Sequence, residues 1–557
     1  MKRSALSPTL ALIAGLALVL RGALALRSID TLDRWFVPDD TYYTLGFARS
    51  LARGSGTTLD GVVQSSGFQP LLAFLLVPVF WLTHAADTAL RVTLFVGALA
   101  DAAVSFLLGC LAHRFAGRIA GLSTALFWAI SPLAIVNALG GLETTLALAL
   151  ELGLVLAVIR ARASNSLGDG RAARARWAIT GILAGLAVLA RIDALFLVGA
   201  VFAFELPICW RRPKAYRARS AAVGWAALVL LPWWSYCTVR FGSPIPESGA
   251  AVLDITRLHR ELYLTIPKQL GWAAANAVGA PLFDLPLVRE FLLEEPELSE
   301  LAFALVTGAL LLFSYRLLFA RPRASAERRA LAALVLHAAT LLWFYALVLP
   351  ALWFFRRYLA PCQAVFALLF GVILSWAWSK WLEPRVRPAC RVACGVISFV
   401  VAALALAGLR QIESFAFATP HSSRDYGLHG AKGYREAALA VLAHVPPGAV
   451  LGAFQSGALA YYASQGVRVV NLDGVVDHSA RQAAAELRLS DYARSRGVTL
   501  LADWPFNVEA FTRLSQRAQT RATTRGVRIE AEPQGVDAFE LLELRWPDPA
   551  PDQRNEP

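Results

Sequence analysis

Two adjacent carboxylates, Asp39 and Asp40, open the stretch PDDTYYTLGFARSLARGSGTTLDGVVQSSGFQPLL at 38–72, in a chain that is otherwise very apolar. A carboxylate at a helix start stabilises orphan backbone N–H groups and the macrodipole. A helix does follow: Tyr43, Phe47 and Leu51 recur at helical spacing, and GSG at 54–56 ends the pattern. One aspartate satisfies such a cap, whereas two side by side repel each other. The pair therefore points beyond capping, to a general base that takes a proton from a nucleophile or to oxygen ligands for a metal. Further along the chain stand Glu143 in GLETT, Arg191 and Asp193 in RIDALF, and Arg356, Arg357 and Tyr358 in RRYLAP. An acid such as Glu143 at the end of an apolar span serves as a cap, an ion partner or a polar-substrate contact. Arg191 and Asp193 flank a tight turn, where they can pair with each other.

The elements that position these residues are mostly membrane spans. The 557 residues are 57% hydrophobic and 17% charged, and apolar runs long enough to cross a bilayer recur over the first three quarters of the chain. The first, 8–26, reads as a retained helix rather than a cleaved leader, because further spans follow it. The net charge of +13 is gathered in short loops at 160–176, 211–219, 321–329 and 380–391. Clusters separated by membrane follow the positive-inside pattern and do not form the continuous face that a nucleic acid requires. The six cysteines all lie in or beside spans, which leaves the tail without a disulfide framework.

Charge parity orders the spans. Lys2, Arg3 and the segment 113–118 belong to the cytoplasmic side, yet three apolar stretches, 8–26, 68–84 and 88–112, lie between them. The short, proline-bearing stretch 68–84 is therefore expected to be a half-inserted interfacial helix. Further spans fall at 118–137, 141–159, twice within 177–209, and at 221–239, 301–319, 331–349, 361–380 and 391–409. The expected fold is an all-α polytopic membrane domain over 1–410, with about eleven transmembrane helices, interfacial helices and outer loops at 28–87 and 241–300. A small α/β domain over 411–557 then lies outside the membrane and folds as a unit of its own. Its strands are expected at 449–454, 467–472 and 497–503, with a closing hairpin after them. Arg356 and Arg357 then sit at the outer face, against the positive-inside trend, either snorkelling to lipid headgroups or binding an anion.

The acidic pair, the Gly-rich loop and the SSGFQPLL element, with GLETT, RIDALF and RRYLAP at matching depth, resemble the GT-C class of membrane glycosyltransferases. The resemblance is to its branch that uses lipid-linked sugars and includes aminoarabinose and protein O-mannosyl transferases. VVNLDGVVD at 469–477 is similar to the tails of bacterial members. The resemblance implies inverting transfer of a hexose or pentose from a polyprenyl-phosphate donor to a hydroxyl on a glycan, glycolipid or protein. It implies Asp39 as the catalytic base, with Asp40 orienting the acceptor or holding an optional divalent cation. Arg356, Arg357 and Tyr358 are expected to bind the donor phosphate, and Glu143, Tyr43 and Asp193 to contact substrate. Gln69 departs from the Lys or His that relatives often carry before this proline. The Ala/Arg/Leu-rich composition suggests a bacterial inner membrane, with a cytoplasmic N-terminus and a periplasmic tail. A transporter or lipid-carrier flippase, the competing reading, would bury charges near mid-span and carry inverted repeats; the sequence instead places its notable polar residues at one membrane face. A sensor whose tail does the work would leave the acidic pair unexplained.

Overall fold

The computed structural model describes residues 6–164, 170–211, 213–262, 265–279, 295–319, 326–381, 433–463, 466–528 and 540–547. Among these residues, eight helices are long and apolar enough to span a membrane: Ser7–Ala25, Ala86–Ala116, Thr144–Ala163, Arg171–Ala190, Tyr216–Phe241, Pro296–Phe319, Glu327–Val348 and Ala360–Lys380. Their outward side chains, such as Leu12, Val19, Leu228 and Leu305, are exposed and apolar, as a lipid solvent requires. The expected span at 118–137 is a broken one, Arg118–Ala129 and Pro132–Leu139 bent by 56°. Pro132 cannot donate to the preceding turn, and Ser131 starts the second half by accepting from the Ala134 N–H. Leu195–Arg211 has 17 residues, the lower limit for a crossing. The last expected span, 391–409, and the domain boundary near 410 lie outside the described residues. Pro70–Leu82, at 13 residues, is too short to cross and leaves Trp81 and Leu82 exposed, in keeping with an interfacial helix.

The break at Ile130 to Pro132 frees carbonyls inside the bundle. Arg21 donates to those of Trp128 (3.2 Å) and Ala129 and to Asp101 Oδ2 (2.9 Å), while the Trp128 indole N–H donates to Asp101 Oδ1 (3.0 Å). A second pair, Glu151 and His337 at 3.5 Å, is equally buried between spans. The expectation that notable polar residues lie only at one face is thus corrected. A charge deep in the bundle is tolerable once a partner helix supplies its counter-charge, and that partner is distant in sequence.

Outside the spans, the segment expected as the first outer loop folds into Ile29–Trp35 and Asp39–Ala52, and the one expected as the second contains Glu247–Leu262 and Ile266–Val278. The tail holds a five-stranded sheet of β1 (Val450–Ala453), β2 (Arg468–Asn471), β3 (Leu500–Asp503), β4 (Thr523–Arg528) and β5 (Glu540–Arg545), in the order β2-β1-β3-β5-β4. β2, β1 and β3 run parallel, and β5 and β4 close the edge as an antiparallel hairpin. Side chains alternate across the sheet. Val470, Leu501, Leu542 and Leu544 pack within the tail on Tyr492 and Phe511. Leu451, Val469, Ala502 and Leu541 on the other face join one cluster with Tyr434 and Val441, and with Leu32, Trp35, Tyr42 and Leu45 of the first outer loop. This corrects the expectation of a self-contained tail, since half of its core is completed by the membrane domain.

Candidate active site

Asp39 and Asp40 form the first turn of Asp39–Ala52, preceded by extended Pro38, which supplies no side-chain cap. Thr41 donates from Oγ1 to the Gly140 carbonyl (2.5 Å), tying this turn to the GGLETT segment. The approach is so close that a Cβ on Gly141 would lie 2.5 Å from Thr41 Cγ2, and Gly141 has φ +67° besides.

The two aspartates face different partners. Asp39 is 2% exposed, and both its oxygens are engaged by the tail: the Gly457 N–H donates to Oδ2 (2.9 Å) and the Ala458 N–H to Oδ1 (2.8 Å). It caps Gly457–Tyr462, whose own N-cap residue Ser456 makes no side-chain cap bond. Burial pushes its carboxyl up to about 7, with the charges of Asp40 and Asp503 adding, while the two N–H donors oppose the shift. Tyr43 goes the same way. Its hydroxyl lies 3.2 Å from the Phe454 carbonyl and Ser456 Oγ, and accepts from the Ser456 N–H (3.2 Å) and Asn471 Nδ2 (3.3 Å). The roles expected of Asp39 as base and Tyr43 as substrate contact do not fit these positions. Both point into the seam with the tail, a partner more than 400 residues away that helical spacing cannot reveal.

Asp40 turns the other way. Its side chain is 28% exposed, and Oδ2 accepts from Arg357 at 2.5 Å. The guanidinium of Arg357 lies over Phe354 (4.0 Å) and Tyr358 (5.3 Å), and its Nε is buried without a hydrogen-bond partner. The short helix Phe355–Tyr358 is fixed from below. Gln363 Nε2 and Asn137 Nδ2 donate to the Arg356 carbonyl at 2.8 and 3.3 Å, so Arg356 contributes a backbone anchor to this arrangement.

Arg191 gathers the remaining expected residues. It donates to Asp193 through Nε (3.1 Å) and a terminal nitrogen (2.6 Å), and to Glu143 Oε1 (3.1 Å). Its guanidinium stands 5.0 Å from the Tyr358 ring centre, and the Tyr345 hydroxyl donates to Asp193 Oδ2 (2.6 Å). Glu143 and Asp193, expected to contact substrate, are thus bound to Arg191, which they orient beside Tyr358. Sequence reasoning missed Tyr345, whose ring lies 4.4 Å from that of Tyr358. A tyrosine at a span end also suits the interfacial aromatic belt, so its type carried no distinguishing signal. The Phe344–Val348 π-turn that aims it is a tertiary feature.

The arrangement sets a carboxylate against a guanidinium with aromatic support, at the ends of several spans and beside the docked tail. Such a set can accept a proton and hold an anion. The residues do not fit the optional cation expected at Asp40. Among the described residues no three His, Cys, Asp or Glu side chains converge as metal ligands, and a guanidinium already stands beside Asp40.

Residues 425–537 match a family described as a domain of unknown function, DUF8728. Comparison with curated proteins finds no sequence match. Solved structures align over nearly the whole chain. One is ArnT from Cupriavidus metallidurans bound to undecaprenyl phosphate, with TM-score 0.54 and 14% identity over 97% of this chain and 98% of that one. Another is the oligosaccharyltransferase of Archaeoglobus fulgidus in its apo form, with TM-score 0.57 and 13% identity over 97% and 74%. The oligosaccharyltransferase AglB from Archaeoglobus fulgidus, in complex with an inhibitory peptide and a dolichol-phosphate, aligns with TM-score 0.54 at 13% identity over 96% and 74%. The fold is that of the GT-C glycosyltransferases, as the sequence resemblance implied.

Proposed function

We propose that the protein is an inverting glycosyltransferase that moves a sugar from a polyprenyl-phosphate carrier to an acceptor hydroxyl at the outer face of a bacterial inner membrane. The observation that carries this reading is the Asp40–Arg357 pair, which joins the first outer loop to the RRYLAP segment. The neighbours bound to undecaprenyl phosphate or dolichol-phosphate support the choice of carrier. Arg357 receives the carrier phosphate, with Tyr358 beside it and its buried Nε as a further donor. The engagement of Arg357 by phosphate releases Asp40. The acceptor oxygen then attacks the anomeric carbon, the bond from that carbon to the phosphate oxygen breaks, and the bonding pair leaves with the polyprenyl phosphate. Asp40 takes the hydroxyl proton, and Arg357 stabilises the charge that develops on the phosphate. A single displacement of this kind inverts the anomeric centre.

A transporter or flippase is favoured by the buried Arg21–Asp101 and Glu151–His337 pairs. It leaves Arg357 and the tail without a role.

In the transferase reading, a strain lacking the protein accumulates a polyprenyl-linked sugar that mass spectrometry detects, and wild-type protein removes it. Asp40→Asn should keep the protein level but slow removal by on the order of 10²–10⁴-fold. Removal at the normal rate by Asp40→Asn would sink the assignment.

A further inference from the structure

A cluster of charge lies at the bundle end opposite the candidate site and takes no part in it. Glu143 stands at the start of Thr144–Ser164, and Arg162 lies about 28 Å further along that axis, close to the thickness of a bilayer core. There Glu205 accepts from both Arg162 and Arg219, the latter through Nε (2.6 Å), so that one carboxylate joins the ends of three helices. All three side chains are buried. The Arg219 guanidinium covers the Trp177 ring (4.9 Å), and Trp177 packs on Ala161, Ala218 and Ala222. Trp177 is fully buried, yet its indole N–H has no acceptor. Arg329 reaches the same junction. The Glu151–His337 contact (3.5 Å) fixes the antiparallel register of Thr144–Ser164 against Ala326–Trp343. From that level Arg162 and Arg329 lie about 16 and about 12 Å toward the same end. Arg329 Nε is buried and donates to nothing, and among the described residues Arg329 enters no ion pair. A buried donor without an acceptor is costly, more so on a cation.

We infer that this junction binds the headgroup phosphate of an anionic membrane phospholipid, with Arg329 and the Trp177 indole N–H as its donors. Arginine meets a phosphate through charge-assisted bonds, and a basic pocket between spans suits an anionic headgroup. The surroundings favour a lipid over a free anion. Ile179, Leu206 and Val223, on the helices that carry Trp177, Glu205 and Arg219, are each more than half exposed, an apolar surface that acyl chains cover. The phosphate then enters at the junction while the chains lie along those helices. The competing role is architectural: Glu205 ties its three helices together, and Arg329 snorkels to the bilayer surface. Snorkelling carries the charged head into water; it leaves the two buried donors, Trp177 Nε1 and Arg329 Nε, without acceptors. The inference does not depend on the transferase reading, because none of these residues belongs to the Asp40–Arg357 site.

The test uses the full-length protein in detergent, stripped of lipid and titrated with phosphatidylglycerol. Native mass spectrometry counts the bound lipid, and the melting temperature is read alongside. Wild-type protein should bind phosphatidylglycerol more tightly than phosphatidylcholine of the same chains. Arg329→Gln, which removes the charge and keeps a polar side chain, should weaken phosphatidylglycerol binding about tenfold. Trp177→Phe, which keeps the ring and deletes the N–H, should weaken it less. Arg357→Gln, in the candidate active site, should leave phosphatidylglycerol binding unchanged, which separates this site from one for the polyprenyl carrier. If Arg329→Gln melts lower than the wild type without lipid, Arg329→Lys, which restores the charge, should recover binding. The inference is overturned if Arg329→Gln binds phosphatidylglycerol as the wild type does, if phosphatidylcholine binds equally tightly, or if Arg329→Lys fails to recover binding. It is also overturned if Arg357→Gln abolishes binding, or if inorganic phosphate alone raises the melting temperature as much as phosphatidylglycerol does, since the occupant is then a free anion.

Discussion

At the scale of single residues, two neighbouring aspartates have been given opposite environments. Asp39 is buried and accepts two backbone N–H bonds, whereas Asp40 is partly exposed and faces one guanidinium. Substituting each by asparagine separates the roles. In Asp39→Asn one oxygen becomes an NH₂ group opposite a backbone N–H, and a buried bond is lost at a cost of about 1–3 kcal/mol. That loss belongs to the seam, not to proton transfer. Asp39→Asn should therefore make the tail easier to proteolyse and lower the melting temperature of the detergent-solubilised protein, while sugar transfer per folded molecule falls far less than in Asp40→Asn. Equal loss of turnover in both variants, at wild-type melting temperature, would contradict this division. The acidic pair was legible in the sequence as a chemical signal. Its division of labour was not, because N1 and N2 of a helix point roughly 100° apart and only the packed neighbours say which direction is solvent.

At the scale of elements, a few tight junctions hold the site together. Gly141 brings GLETT onto the acidic turn, Gly67 receives the tail turn, and Arg49 reaches the Ala460 and Tyr461 carbonyls at the end of the helix that Asp39 caps. That tail helix is thus held by an acid at its N-terminus and a cation at its C-terminus, the polarity its dipole favours. Gly141→Ala tests the first junction. Its left-handed φ costs about 1–2 kcal/mol for an L side chain, and the methyl group would force Thr41 aside. The expected result is a correctly inserted protein of normal abundance with impaired transfer, since Glu143, Arg191 and Asp40 are displaced relative to one another. Wild-type transfer by Gly141→Ala would show that this contact does not position the site.

For the whole molecule, the tail and membrane domain share two apolar clusters and several ion pairs. Arg435 bridges to Asp87 (2.9 Å) and Asp30 (2.7 Å), and Arg496 reaches Asp60 (3.2 Å). Expressed without the membrane domain, residues 433–547 would leave Leu451, Val469, Leu541 and Tyr434 facing water. The isolated tail should therefore bind a hydrophobic dye and unfold without a sharp transition. A cooperative melt with no dye binding would show that its internal cluster suffices. What the sequence by itself determined is the part governed by local hydropathy and spacing: spans, a short apolar helix, an acidic helix start, and the first three tail strands within one to three residues of their observed limits. Those properties depend on neighbours a few positions apart. The tertiary structure alone decided that Asp39 meets residues 418 and 419 positions away, that Arg357 meets Asp40 across 317, and that Arg21 has a counter-charge in Asp101. Burial and pairing of charge are set by whichever segment packs alongside, and local sequence does not encode that choice.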